Sequence, residues 1–137
     1  KADLKVEFHF VGPIPKIKQL NFSNLKIEYH GLINDIEEKQ SIYDNCDVLL
    51  CPSYSEGMPN VILEAMSLKC PVIAFDCVYN RSSMENRGLY FKDSDHLQKI
   101  ATTSELRRDP EMLEIAQRNY TWKSIRRKYA KLFMNSS

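Results

Sequence analysis

The chain has 137 residues, a formal net charge of +1, and 43% apolar and 27% charged residues. These proportions suit one soluble folded domain and argue against a disordered or fibrous protein. A near-neutral charge disfavours a nucleic-acid binder, which normally carries a basic excess. No signal peptide opens the sequence, and no apolar run approaches the ~20 residues needed to cross a bilayer. Because the chain opens on Lys1, we expect it to be part of a longer protein.

Short apolar runs alternate with amphipathic stretches along the chain. Strands are predicted over residues 6–11, 25–29, 47–51, 71–75 and 88–91. Helices are predicted from Asn34 or Asp35 to about residue 45, over 59–69, and from 93 to about 135 with breaks near Pro110 and Thr121. This order predicts one α/β domain over residues 1–137 with a largely parallel sheet. Ligands of such sheets bind beyond the carboxyl ends of the strands.

Apolar spacing predicts which side chains the first two helices turn inward. On the first helix these are Ile36, Ile42 and Tyr43, and on the second Val61, Ile62, Ala65, Met66 and Leu68. The four cysteines form no C-x-x-C pair and follow no zinc-site spacing, which indicates a reducing compartment. Cys51 and Cys70 adjoin apolar runs, so we expect both of them in the core.

The segment between the 47–51 strand and the second helix has the features of an anion site. Pro59 fits a first helical position, and Met58 before it has no side-chain acceptor to cap the helix. The N–H groups of Asn60 and Val61, at the positive end of the helix dipole, are therefore available to an anion. Gly57 allows the close approach of a ligand. The alternative is an ordinary tight loop whose serines cap the helix.

Two carboxylates bracket this helix start. Glu56 precedes it, and Glu64 follows in its second turn on a face shared with Asn60 and Ser67. Carboxylates repel a phosphate but accept hydrogen bonds from hydroxyls that flank it, such as those of a ribose and a hexose. The arrangement of acid, helix start and acid therefore suits a nucleoside-diphosphate sugar. The alternative is a pair of solvated surface glutamates, the usual place of this residue type.

The segment E-G-M-P-N-V-I-L-E at 56–64 resembles the E-x7-E signature of retaining glycosyltransferases of the GT-B fold, in particular the group 1 family (glycosyltransferase family 4). The flanking segments resemble the same family in the same order. They are F-V-G at 10–12, Y-H-G-L-I at 29–33, D-V-L-L-C-P-S at 47–53, P-V-I-A at 71–74 and Y-T-W-K-S-I at 120–125. The resemblance implies a Rossmann-like fold, the C-terminal, donor-binding half of a GT-B enzyme.

The resemblance also implies a role for each matching residue. Glu56, the catalytic candidate, would contact hydroxyls of the donor sugar, and Glu64 would bind the ribose diol. Gly12 would line the floor of the nucleotide site. The backbone near the diphosphate would come from Gly57, Met58, Pro59, Asn60 and Val61, and the surroundings of the base from His30, Leu32 and Ile33.

By the same resemblance, the parent enzyme would transfer a hexose from UDP- or GDP-hexose to a hydroxyl acceptor with retention. The acceptor, a saccharide or a lipid-linked saccharide, would bind an N-terminal domain, in polysaccharide or glycolipid biosynthesis. We expect no metal, no bound cofactor and no nucleic-acid partner, and a cytoplasmic location that extends to the inner face of the membrane. The alternative is a non-catalytic nucleotide-sugar-binding module or pseudo-enzyme of this fold. A signalling receiver and an epimerase are less consistent with these motifs.

The chain departs from the family in two segments. It begins after the strand and helix that carry an Arg and a Lys of the phosphate clamp, and that strand would lie between those at 6–11 and 47–51. Either the sheet closes up, or another chain or a disordered piece fills the gap. The segment 77–85 replaces a glycine-containing donor loop. Arg81 and Arg87 there are candidates to approach a phosphate.

Histidines and basic residues elsewhere carry weaker signals. His9, His30 and His96 are scattered, and neither His9 nor His96 has a ligand partner at useful spacing, so the sequence predicts no metal site. His30 is nearer the candidate site, where it is expected to line the pocket. On the last helix, a stripe of basic residues occupies positions 123, 126, 127, 128 and 131. It lies opposite a set of apolar residues that begins at Trp122. It is expected to be a solvated face, and the alternative is attraction to an anionic membrane surface.

Overall fold

A computed structural model describes residues 5–13, 25–54 and 60–135. Five strands and six helices alternate along the chain, and their bounds are as follows. The strands are β1 (Val6–Val11), β2 (Leu25–Gly31), β3 (Leu49–Cys51), β4 (Val72–Phe75) and β5 (Leu89–Phe91). The helices are α1 (Ile36–Asn45), α2 (Asn60–Ser67), α3 (Val78–Ser83), α4 (Ser94–Thr103), α5 (Pro110–Tyr120) and α6 (Trp122–Met134).

All pairings between the described strands are parallel, as the sequence predicts. β1 pairs with β2, and β3, β4 and β5 form a second sheet in that order. The chain divides into two compact units, Lys1–Ser41 and Ile42–Ser137, with one sheet in each. The described strands thus form two sheets, so the expectation that they close up into one sheet is wrong for this part of the chain.

The second unit is a three-layer α/β structure built around β4. Because side chains alternate along a strand, Val72 and Ala74 face one side of the sheet and Ile73 faces the other. Val72 and Ala74 pack with buried residues of α2 and α5, whereas Ile73 packs with Ile100 of α4. Burial on both faces explains the continuous apolar run of this strand. The predicted α/β class is confirmed.

Capping residues set the helix boundaries in the C-terminal part of the chain. Asp109 accepts a hydrogen bond from the Glu111 N–H, and Pro110 begins α5. Thr121 caps α6 through the Ser124 N–H. The predicted breaks near Pro110 and Thr121 are thus confirmed. Within the described residues, no helix has the length and apolar character needed to span a bilayer.

The cores contain the cysteines that the sequence assigned to them, while two predicted inward residues are exposed. Cys51 and Cys70 are buried, and neither forms a disulfide. Ile36, in contrast, is 79% exposed at the first position of α1, and Val61 is 44% exposed in the first turn of α2. Both predictions were wrong, because α1 has no buried residue and burial in α2 begins only at Ile62.

Helix α3 was not predicted, and it lies in the segment 77–85 that stands in place of the family's glycine-containing loop. Its apolar residues Val78 and Tyr79 are exposed, while the polar residues Asn80 and Ser83 are buried. An amphipathic pattern of this inverted kind gives no helical signal in a hydrophobicity-based analysis.

Adjacent aliphatic residues of α2 offer a test of this core. Ile62 is fully buried in the cluster on one face of the second sheet, and Val61 beside it is exposed. We expect Ile62→Ala to lower the free energy of unfolding by about 2–5 kcal/mol, because it removes buried methyl groups and leaves a cavity. Val61→Ala, the matched control, should change it by less than about 1 kcal/mol. Urea titration followed by circular dichroism measures both, and equal effects would contradict the packing.

Candidate functional site

One part of the predicted site lies at the start of α2, the helix that follows β3 in the chain. Asn60 and Val61 form the exposed first turn of α2, and Glu64 follows, half-buried, in the second turn. This is the carboxyl end of a parallel sheet, where ligands of α/β domains bind. The predicted residues Glu56, Gly57, Met58 and Pro59 lie outside the described residues.

Tyr43 of α1 is hydrogen-bonded to Glu64. The phenol donates to the Glu64 carboxylate, with 3.2 Å between the Tyr43 hydroxyl oxygen and Oε2. The same hydroxyl lies 3.3 Å from the carbonyl oxygen of Val61. Burial, and then the charge of Glu64, raises the pKa of Tyr43, so the phenol remains a protonated donor at neutral pH. Tyr43 thereby orients the carboxylate. A carboxylate has several acceptor positions, so this bond is compatible with additional bonds from ligand hydroxyls.

Arg108 holds Tyr43 and α2 in place. Its guanidinium donates to the carbonyl of Tyr43 at 2.9 Å and to that of Leu68 at 3.1 Å. It also donates to the carbonyls of Asp44 and Cys46. These acceptors lie at the C-terminal ends of α1 and α2, where carbonyl groups lack helical partners and favour a cation. One side chain therefore fixes the two helix ends that present Tyr43 and Glu64.

Asn80 of α3 joins the loops that follow β3 and β4. Its side-chain amide donates to the carbonyl of Ser53 and to that of Phe75, both at 2.9 Å, and the residue is only 1% exposed. The Ser53 carbonyl lies in the loop that leads to α2, and Phe75 ends β4. The Asn80 amide thus fixes the backbone at the entrance to the candidate site.

The two arginines considered for phosphate binding are held by acidic residues. Arg81 forms a two-point ion pair with Asp76, one bond of which is 2.9 Å, and lies over the ring of Tyr90. The guanidinium of Arg81 holds the pKa of Asp76 below its usual range. Arg87 pairs with Asp109 and Glu111 at 2.9 and 2.8 Å. Each guanidinium thus already has an anionic partner within this chain. We therefore assign Arg81 and Arg87 a structural role in place of the expected approach to a phosphate.

The other predicted donor-site residues belong to the first unit. Gly12 directly follows β1 and has a φ angle of +137°, and Gly31 is the last residue of β2 and has a φ angle of +69°. Both angles lie in a region that favours glycine. The Gly12 N–H donates to the Gly31 carbonyl at 2.8 Å, which brings the two strand ends together. His30 is half-buried at this end of β2, Leu32 is exposed, and Ile33 is buried.

Sequence reasoning missed Tyr43 and Asn80 as parts of the site. Tyr43 was predicted only as an inward residue, and it lies 21 positions before Glu64. Asn80 falls in a polar segment without a recognisable motif. Neither carried a signal in the sequence, because each acts through a contact made by the tertiary fold.

Comparison with known proteins identifies the family. The family described as "Glycosyl transferases group 1" matches residues 1–106. The chain belongs to the group 1 glycosyltransferases. The family match covers both units up to the segment after α4, and so includes β3, α2 and the Glu64 position.

Two curated relatives of this group 1 glycosyltransferase chain are also named as glycosyltransferases. The first is N,N'-diacetylbacillosaminyl-diphospho-undecaprenol alpha-1,3-N-acetylgalactosaminyltransferase of Campylobacter jejuni, 35% identical over 77 residues. The second, from Bacillus subtilis, is provisionally named a teichuronic acid biosynthesis glycosyltransferase, TuaC, and is 57% identical over 30 residues. The matches span 53% and 22% of this chain, but only 20% and 8% of the relatives' lengths.

Proposed function

We propose that this chain is the donor-binding domain of a retaining glycosyltransferase of the GT-B fold. The parent enzyme would transfer a hexose from a nucleotide-diphosphate sugar to a hydroxyl acceptor. The single observation that supports this most strongly is the placement of Glu64. Its carboxylate is oriented by Tyr43 in the second turn of a helix that starts beyond the carboxyl end of β3. That position suits a carboxylate that accepts hydrogen bonds from the ribose diol.

The proposed chemistry is charge stabilisation at the start of α2. The bond between the anomeric carbon and the diphosphate oxygen breaks, and a bond forms from the acceptor oxygen to the same face of that carbon. The acceptor proton passes to the departing diphosphate. The N–H groups of the first turn of α2 would stabilise the charge that develops on the diphosphate. Glu56 would contact the sugar hydroxyls.

The acceptor in this proposal is a saccharide or a lipid-linked saccharide, bound by an N-terminal domain in polysaccharide or glycolipid biosynthesis. The name of the Campylobacter relative includes a diphospho-undecaprenol, and that of the Bacillus relative includes teichuronic acid biosynthesis. We further propose a cytoplasmic site of action and peripheral contact with an anionic membrane. The exposed Trp122 and the basic residues of α6 support that contact, because both kinds of residue favour the membrane interface.

A test of the transferase uses the parent enzyme with UDP- and GDP-hexoses. Isothermal titration identifies the donor, and NMR of the product gives its anomeric configuration. We expect saturable binding of one donor class and a product with the anomeric configuration of the donor. An inverted product would contradict the retaining mechanism, and the absence of binding to every donor would contradict the proposal.

A second candidate function is a non-catalytic nucleotide-sugar-binding module. The observation in its favour is that Arg81 and Arg87 are both held in ion pairs by acids of this chain. A parent protein that binds a donor, but neither hydrolyses nor transfers its sugar to any acceptor saccharide, would support this alternative over the enzyme.

We predict that the 137-residue chain alone has no transferase activity, because in this proposal the acceptor binds to an N-terminal domain. Incubation of the purified chain with UDP- or GDP-hexose and a mixture of acceptor saccharides should produce no glycoside above background. The parent enzyme, assayed in parallel, is the positive control. Turnover by the chain alone would refute the prediction that transfer requires a second, acceptor-binding domain.

Tyr43→Phe removes the hydroxyl that orients Glu64 while it retains the ring. We expect donor binding to the parent enzyme to weaken roughly 2–10-fold, the effect of one hydrogen bond of about 0.5–1.5 kcal/mol. Tyr129→Phe, at an exposed tyrosine of α6, is the matched control and should leave the affinity unchanged. Isothermal titration measures both variants. A Tyr43→Phe enzyme with unchanged donor affinity would show that the phenol does not position the carboxylate.

A further inference from the structure

Four ionisable side chains share one face of the β1–β2 pair. The parallel register places His9 opposite Glu28. Because alternate residues of a strand point to the same side, Glu7 joins His9 and His30 joins Glu28 on this face. The structure confirms the grouping, since the atoms of His9 contact all three other side chains. Residues that the sequence separates by 21 positions are thus brought together by strand pairing.

The ligand atoms of this group lie close enough together to converge on one metal ion after small side-chain movements. Nδ1 of His9 lies 2.8 Å from Nε2 of His30 and 3.5 Å from Oε2 of Glu28. Two ligand atoms that bind the same zinc ion at about 2.0–2.1 Å are at most about 4.2 Å apart. One ligand atom from each of the three residues lies within 4.8 Å of the others. Glu28 is exposed, so its carboxylate is able to rotate toward the histidine nitrogens.

Glu7 orients His9 for this purpose. Its carboxylate lies 3.2 Å from Nε2 of His9, on the opposite side of the ring from His30. With the ring proton on Nε2, beside the Glu7 carboxylate, the lone pair lies on Nδ1, the atom that faces His30 and Glu28. Lys26 pairs with Glu7 at 2.8 Å and holds the pKa of Glu7 below its usual range. Carboxylates support metal-binding histidines in this way in known sites.

We propose that His9, Glu28 and His30 bind one divalent transition-metal ion, with Glu7 as the group that orients His9. Two imidazoles and one carboxylate favour zinc, nickel or copper over calcium or magnesium. In the metal-free chain, the two imidazoles share one hydrogen bond. A bound metal ion would replace this hydrogen bond. For that, the ring proton of His30 must lie on Nδ1, so that Nε2 has a lone pair for the metal. The ion would join β1 to β2, and the site does not depend on the proposed glycosyltransferase function.

Zinc titration of the untagged 137-residue chain tests this proposal. Isothermal titration should show one zinc ion per chain, with binding abolished in His9→Ala and in His30→Ala. His96→Ala, at the remaining histidine of the chain, is the matched control and should bind zinc as the wild type does. Glu7→Gln should bind about 10–100-fold more weakly, as expected for the loss of a group that supports a ligand.

Far-UV circular dichroism confirms that each variant is folded. Should a histidine variant unfold, Glu28→Gln provides the test, because this exposed side chain contributes little to packing, and it should weaken zinc binding at least tenfold. Cobalt substitution adds a second measurement, since its spectrum distinguishes nitrogen and oxygen ligands from the cysteine thiolates of the chain. The absence of zinc binding would overturn the proposal. So would zinc affinity unchanged in the His9 and His30 variants, or a thiolate spectrum that persists in them.

Discussion

Glu64→Ala in the parent enzyme is expected to weaken nucleotide-sugar binding about 100-fold or more, with a matching loss of kcat/KM. The physical reason is that the proposed ribose diol makes two hydrogen bonds to a charged acceptor, each worth about 1.5–3 kcal/mol. A tenfold change in affinity corresponds to about 1.4 kcal/mol. The fold should tolerate the change, because the Tyr43 hydroxyl retains the Val61 carbonyl as an acceptor.

The control for Glu64 is Glu114→Ala, which removes an exposed glutamate of α5 in the same unit. It should bind donor with wild-type affinity. Isothermal titration with UDP- and GDP-hexoses and an activity assay measure both variants. A folded Glu64→Ala enzyme that binds its donor normally would remove the main support for the donor site.

Asn80→Asp is expected to destabilise the chain by about 2–5 kcal/mol. The substitution keeps the shape of the side chain, but it replaces a donor amide by a carboxylate directed at the carbonyls of Ser53 and Phe75. Each buried carbonyl left without its donor costs about 1–3 kcal/mol, and the buried charge adds to that cost.

The control for Asn80 is Asn34→Asp, because Asn34 is exposed before α1. This variant should unfold at nearly the wild-type urea concentration. Destabilisation of Asn80→Asp should also diminish as the pH falls, since the carboxyl becomes a neutral group with one donor. Urea titrations at pH 7 and at pH 4.5 measure this dependence. Equal stability of the Asn80 and Asn34 variants at pH 7 would contradict the role of the amide.

Much of the fold could be predicted because its signals are local. The apolar run of β4 reflects burial on both faces of one strand. The start of α5 is encoded by Asp109 and Pro110, a cap and a residue suited to the first helical turn. Such features depend on neighbours in the sequence, so the composition of a short window is enough to identify them.

The features that escaped prediction depend on contacts between distant segments. The Tyr43–Glu64 and His9–His30 pairs each join residues 21 positions apart, and only helix packing or strand register brings them together. Asn80 was missed for a related reason, because a buried amide resembles a loop residue until its two carbonyl partners are known. The resemblance indicated a segment for the candidate site, but it gave no indication of Tyr43 or Asn80.

The two hydrogen bonds that the Asn80 amide donates have a consequence for engineering of this domain. Loops on α/β scaffolds are commonly treated as exchangeable modules, each replaceable without regard to the next. Here a single amide links the segment after β3 to the end of β4, so a transplanted loop that moves the Ser53 carbonyl would also disturb α3. Replacement of either segment would therefore be better tolerated if both segments were exchanged together.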